Sequence, residues 1–261
     1  MSIDEHWIRS LHVEAMQHAD LHGGHEPHVL FQASTIGALL EGAYEGDMTF
    51  AELAEQGDHG LGTVNHLDGE MVAIDGRFYR ADVDGGIDEL PGSERTPFAV
   101  VLPFDPDVDF HLDEPLEHDA LLAAIEQHIP AGAATSAVRI DGHFALVEAR
   151  SVPRQEPPYR PLTEVVADQH VFKLEDVEGS MVGFRFPAYV EGIEVSGWHL
   201  HFISDDRTRG GHVLGSRSSS VRVGLDPSRE LHVELPPGIL LADPGHAGST
   251  HAAIDRVERQ A

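Results

Sequence analysis

The chain is expected to be an α/β (α+β) protein, with two closely packed regions of mixed, largely antiparallel β-sheet and a few helices. Three observations predict this. Asp75-Gly76 stands between the alternating segments EMVAI and RFYRADV, and Asp-Gly so placed is the strongest short hairpin signal. TPFAVVLPF and SSVRVGL are rich in the β-branched and aromatic residues that strands favour. Only four stretches, within 4–19, 34–44, 49–56 and 115–128, suggest helix by apolar spacing or capping.

Taken in order, residues 4–19 place Trp7, Ile8, Leu11 and Ala15 on one helical face, so residues 1–27 form an N-terminal extension expected to be helical. DLHGGHEP breaks it. Ser34 is placed as the N-cap of STIGALLEGAY, with Ile36, Leu39, Leu40 and Tyr44 as its apolar stripe. Thr49 opens TFAELAEQ, with Glu52 at the capping-box position. GDHGLGT is expected to be a glycine-rich loop. Asp68-Gly69 and Asp75-Gly76 then flank a strand, EMVAI, and TPFAVVLPF is a buried one. A helix is expected from about 115 to 128, and AVRIDGHFALVEARSV is expected to turn back at Asp141-Gly142. RQEPPYRPLTEV, too rich in proline for a sheet interior, is the expected seam. It separates an N-terminal α/β domain, 28–152, from a β-rich C-terminal domain, 153–261, with strands across 181–203 and 212–235.

Composition narrows the function. The 261 residues carry 45 acidic against 17 basic side chains, a formal charge of −28, and Lys173 is the sole lysine. Such a surface repels nucleic acid and anionic membranes, which are therefore not expected partners. Acidity spread without blocks points to a halophilic protein, solvated in a high-salt cytoplasm where screening shortens self-repulsion. With no cysteine, disulfides, thiolate metal sites and cysteine nucleophiles are excluded. The N-terminus lacks a basic start followed by an apolar run, and no stretch has transmembrane length, so a cytoplasmic, soluble protein is expected.

GWHLHFISDDRTRGGH, 197–212, concentrates the chemistry. Strand alternation puts His199 and His201 on one face, with Trp198, Leu200 and Phe202 turned to a core on the other. DDRTRGG supplies a turn, and His212 shares the histidine face if residue 201 pairs opposite 212 or 214. Cross-strand neighbours lie about 5 Å apart, so three imidazoles can converge on one ion. Three histidines plus water make a zinc-type catalytic site, though imidazole also suits other divalent metals. The alternative is that these are surface histidines in a chain carrying 19. His18, His22, His25, His28, His59, His66, His246 and His251 are taken as solvated surface. Glu70, opening EMVAI, either faces solvent or points into a site. Arg150, at a strand end, suits a substrate carboxylate.

The run QASTIGALLEGAYEGDMTFAELAEQGDHGLGTVNHLDGEMVAIDGRFYRAD, the Pro-rich ARSVPRQEPPYRPL and GWHLHFISDDRTRGGHVLG resemble, in that order, segments of the alpha-acetolactate decarboxylase family. The resemblance runs from about residue 28 to the end and leaves residues 1–27 outside. It implies a homodimeric enzyme converting (S)-2-acetolactate, a small 2-hydroxy-3-keto acid, to (R)-acetoin and CO₂. It also implies a zinc ion held by His199, His201 and His212, with Glu70, Arg150 and the tail residue Glu258 as catalytic groups. Thr63 and Arg150 are the implied substrate-binding residues. The chemistry is consistent: decarboxylation leaves charge on a ketone oxygen, where a Lewis-acidic metal stabilises it. Competing classes are a metal-dependent hydrolase, a cupin-like isomerase and a non-catalytic metal- or ligand-binding relative. CO₂ release from acetolactate distinguishes the first of these, and a missing catalytic group would mark the last.

Overall fold

The computed structural model describes residues 11–18, 21, 26–190, 192–235, 253 and 257. In chain order the strands begin with β1 (His12–Met16), β2 (Val29–Ala33), β3 (Met48–Thr49), β4 (His59–Thr63) and β5 (Glu70–Ile74). They continue with β6 (Arg77–Ala81), β7 (Ile87–Glu89), β8 (Arg95–Thr96), β9 (Ala99–Leu102), β10 (Val108–Leu112) and β11 (Leu116–Glu117). Next are β12 (Thr135–Ser151), β13 (His170–Phe186), β14 (Gly197–Ser204), β15 (Gly210–Ser228) and β16 (Glu230–Glu234). The short helices are α1 (Ile36–Leu40), α2 (Phe50–Ala54), α3 (His118–Glu126) and α4 (Leu162–Val165).

One sheet has the order β1-β16-β2-β9-β4-β5-β6-β7, in which β16 pairs in parallel with both β1 and β2 and the other neighbours are antiparallel. The second has the order β10-β15-β12-β13-β14, and β14 pairs back onto β15. β12, β13, β14 and β15 therefore close a circuit. The mixed, largely antiparallel architecture is the expected one. The sheets exchange strands across the Pro-rich segment: β10 and β12 precede it but join the second sheet, whereas β16 follows it and joins the first.

Alternation sorts the side chains into layers. On β5, Met71 and Ala73 join Phe50 and Leu53 of α2 in a core outside the first sheet. Val72 and Ile74, on its other face, pack against Val182 and Ile203 of the second sheet. Leu200 and Phe202 of β14 enter the core under α3, with Trp198 packed against it, as alternation predicted. The remaining β14 face, with His199 and His201, looks toward the first sheet. The site lies in this layer between the sheets.

Several local expectations hold. Thr49 and Glu52 form a reciprocal capping box on α2, and Asp75-Gly76, both at positive φ, close a two-residue hairpin in which Ile74 faces Arg77. Others are corrected. The N-terminal extension is a strand over 12–16, paired in register with β16. An exposed sheet edge more than 200 residues away supplies those hydrogen bonds, which local periodicity cannot register; residues 1–10 lie outside the described residues. The N-cap of α1 is Thr35, whose hydroxyl accepts from Ala38 N, not Ser34.

The glycine errors share one cause. GDHGLGT is mostly strand β4, where a Cβ on Gly60 or Gly62 would lie 2.1 Å from Val100 O or 2.4 Å from Phe98 O. Asp141-Gly142 is no turn: β12 continues through it, and a Cβ on Gly142 would meet Ser220 O at 2.4 Å. In both places glycine permits close backbone approach within a sheet.

Candidate metal centre

His201 on β14 stands directly opposite His212 on β15, a register that brings His212 to the histidine face as expected. His212 in turn stands opposite Arg150 on β12, so three adjacent strands set these side chains in one row. His199 lies two residues before His201, on the same face. The three rings sit with centroids 5.1–5.3 Å apart, all buried, and one ligating nitrogen from each lies within 4.8 Å of the others. The turn that makes this register is 205–208, closed by Ser204 N donating to Arg209 O. Gly210 and Gly211 are already strand. A Cβ on Gly210 would lie 2.5 Å from Phe202 O and one on Gly211 2.9 Å from Arg150 O, so the pair lets β15 approach both neighbours.

His201 Nδ1 hydrogen-bonds Met71 O of β5 at 2.8 Å, which leaves Nε2 directed at the cluster. That Nε2 is buried and has no hydrogen-bond partner among the described residues. Burial, then the neighbouring His199, holds the His201 pKa well below the usual imidazole value. A neutral ring with a free lone pair is the form that ligates a metal. The donor set therefore fits a metal ion. A second His/carboxylate group, Glu14, Glu230 and His232 on the β1–β16 edge, lacks this burial.

Glu70 points inward. Its Oε1 accepts from Arg150 Nη1 at 2.8 Å, and its Oε2 lies 3.6 Å from His201 Nε2. Both members of the ion pair are buried; removing one partner of such a pair is far more damaging than its net stabilisation suggests. Arg150 Nη2 donates to Val257 O at 3.1 Å, whereas its buried Nε has no partner among the described residues. Thr63 stands opposite Glu70 in the first sheet, and its hydroxyl donates to Gly69 O. These groups and the three histidines line one cavity of about 40 Å³, walled by Ile36, Leu39, Phe98, Leu162 and Val257 among others. That is room for a small ligand's polar end or a few waters.

Six of the seven sequence-derived site residues thus converge. Glu258 lies outside the described residues, although its neighbour Val257 lines the cavity. Sequence reasoning missed Glu194, a fully buried carboxylate beside His199. The available signal was an acid between Ile193 and Val195, just ahead of the His-x-His pair. His59, expected on the surface, is instead buried, stacks on Phe104 and hydrogen-bonds Val138 O. His28 is half-exposed and bonded to buried Asp226. His22, His25, His246 and His251 lie outside the described residues.

The family model for alpha-acetolactate decarboxylase matches residues 30–239. An alpha-acetolactate decarboxylase of Methylococcus capsulatus is 40% identical, covering 99% of this chain and 100% of its own. One from Klebsiella aerogenes is 41% identical over 90% of each chain. The crystal structure of the Bacillus subtilis strain 168 alpha-acetolactate decarboxylase superposes with a TM-score of 0.83 at 36% identity, over 88% of this chain and 99% of that one. The chain belongs to the alpha-acetolactate decarboxylase family.

Proposed function

We propose that this chain decarboxylates (S)-2-acetolactate to (R)-acetoin and CO₂ at the cavity between its sheets, using a zinc ion held by His199, His201 and His212. The observation that carries the reading is the buried Glu70–Arg150 pair set against three convergent imidazoles. A zinc ion there would supply a Lewis acid to the substrate's hydroxyl and ketone oxygens.

The protein's own groups account for the remaining steps. Arg150, whose Nε has no partner among the described residues, holds the departing carboxylate of the substrate. Loss of CO₂ leaves an electron pair delocalised onto the ketone oxygen as an enediolate, and the guanidinium offsets that charge. Glu70, held 2.8 Å from Arg150, moves the proton that must reach one face of the enediolate to give a single enantiomer. Glu258 is the second candidate for that relay, and Thr63 bounds the substrate end of the cavity. The apolar walls around Ile36, Leu39 and Phe98 suit a substrate with only small alkyl groups.

The same reading carries the homodimer implied by the family resemblance and a cytoplasmic, high-salt setting suggested by the acidic surface. Among the described residues no helix is long and apolar enough to cross a membrane. The decisive experiment incubates purified, zinc-loaded protein in high salt with racemic acetolactate and follows CO₂ and acetoin chirality. Release of CO₂ with (R)-acetoin is expected. Acetolactate left intact, or consumed without CO₂, would overturn the reading.

A further inference from the structure

Glu194 has no accessible surface, and its Oε1 lies 3.7 Å from Nδ1 of His199. Its place is set independently of the histidine strand. Gly37 N donates to Gly192 O at 3.1 Å, and Ile36 N donates to Ile193 O at 3.0 Å. Gln32 Nε2 also donates to Ile193 O, at 2.7 Å, while Glu194 N donates to Val190 O at 3.1 Å. Ile193 packs against the core that holds buried Val195, so the carboxylate is fastened to α1 and β2 on both sides.

Burying an anion costs several kcal/mol unless nearby groups compensate it. An imidazole whose outer N–H meets a carboxylate has its tautomer and ring orientation defined, and its other nitrogen becomes more basic. His201 shows the neutral version of this arrangement, with Met71 O on its Nδ1. We propose that Glu194 is a positioning residue of the metal centre, orienting the His199 ring through Nδ1 so that Nε2 faces the ion. It acts through His199 and touches no substrate. The inference rests on the metal reading above.

The test measures zinc affinity by chelator competition, with thermal unfolding of the metal-free protein alongside. The proteins compared are the full-length wild type, Glu194→Gln, His199→Ala and the double variant. Glu194→Gln is expected to bind zinc about 10–100-fold more weakly, while the metal-free protein keeps its unfolding temperature. In the His199→Ala background the same substitution should change affinity by less than about twofold, because the residue it acts through is gone. Wild-type affinity in Glu194→Gln, or an equal loss with and without His199, overturns the proposal. If Glu194→Gln does not fold, Glu194→Asp keeps the charge with a shorter reach, and wild-type zinc affinity in that variant overturns it equally. A wild type that binds no zinc fails at the earlier step and refutes the metal reading itself.

Discussion

His201 and His59 are both buried histidines whose charged form is disfavoured first by burial, yet only His201 belongs to the candidate metal centre. His59 hydrogen-bonds Val138 O across the sheet interface and stacks on Phe104 with centroids 4.3 Å apart. The Phe184 ring meets it edge-on, with centroids 6.4 Å apart. His201 also bonds a carbonyl from the opposite sheet, but two further imidazoles, a carboxylate and a guanidinium gather around it. A buried histidine is thus no sign of function by itself. What marks the site is the convergence of complementary groups on one small cavity, whereas His59 serves as a polar pin between layers.

Replacing one histidine from each environment gives the largest contrast. His201→Ala should lose both bound zinc and decarboxylation, with turnover falling at least about 10³-fold, as when a main electrostatic stabiliser is removed. His59→Gln should keep both. Metal analysis of the two purified proteins checks this, and zinc retained at one per chain in His201→Ala would remove that residue from the ligand set.

The buried Glu70–Arg150 ion pair sharpens the contrast. Glu70→Gln is expected to lower turnover about 10²–10³-fold while zinc stays bound. Arg150→Ala should do the same and also destabilise the fold by about 3–5 kcal/mol, since Glu70 is left buried without its guanidinium. Denaturant titration beside steady-state kinetics separates the two effects. Near wild-type turnover with zinc bound would cancel the role assigned to that residue.

On the His59 side the expected effects concern stability alone. Gly60→Ala places a methyl against Val100 O in the strand that carries His59, and should destabilise by about 1–3 kcal/mol. The pH dependence has a definite sign. The His59 pKa is lowered to about 3 by burial, from an ordinary 6.5. Below that ordinary value the unfolded chain takes up a proton that the folded chain refuses. Stability from this group is therefore complete above pH 6.5 and falls as the pH drops toward 3, by up to about 1.4 kcal/mol per pH unit. His59→Gln should flatten that limb of the stability curve; an unchanged limb would show that other groups control it.

Salt should have the gentlest effect and should divide surface from interior. With a net charge of −28, the unfolding midpoint should rise with ionic strength as self-repulsion is screened. Zinc affinity in the buried triad should move much less. Full stability at low salt would count against a halophilic surface.

Much of the site was legible because its residues obey strand alternation. His199, His201 and the partition of Trp198, Leu200 and Phe202 follow from a period of two, and the register with His212 is among those that the turn permits. Glu70 and Arg150 were visible as charges at strand ends, but only the family resemblance joined them to the histidines. The glycines are the exception: by local pattern Gly60, Gly62, Gly142, Gly210 and Gly211 read as loop or turn, yet all five lie in strands. Their reason lies in carbonyls of neighbouring strands, which no local window contains.

By itself the sequence determined the class of fold, the absence of thiolate chemistry, the acidic surface and the face shared by two histidines. Those properties depend on composition or on neighbours a few residues apart. Only the tertiary structure decided that Glu70 meets Arg150 across 80 residues, that Glu194 lies beside His199, that His59 is buried, and that residues 12–16 form a strand. Each of these depends on a partner supplied by a remote strand or segment. A local pattern selects a side chain's face, but the packing of distant elements selects what that face meets.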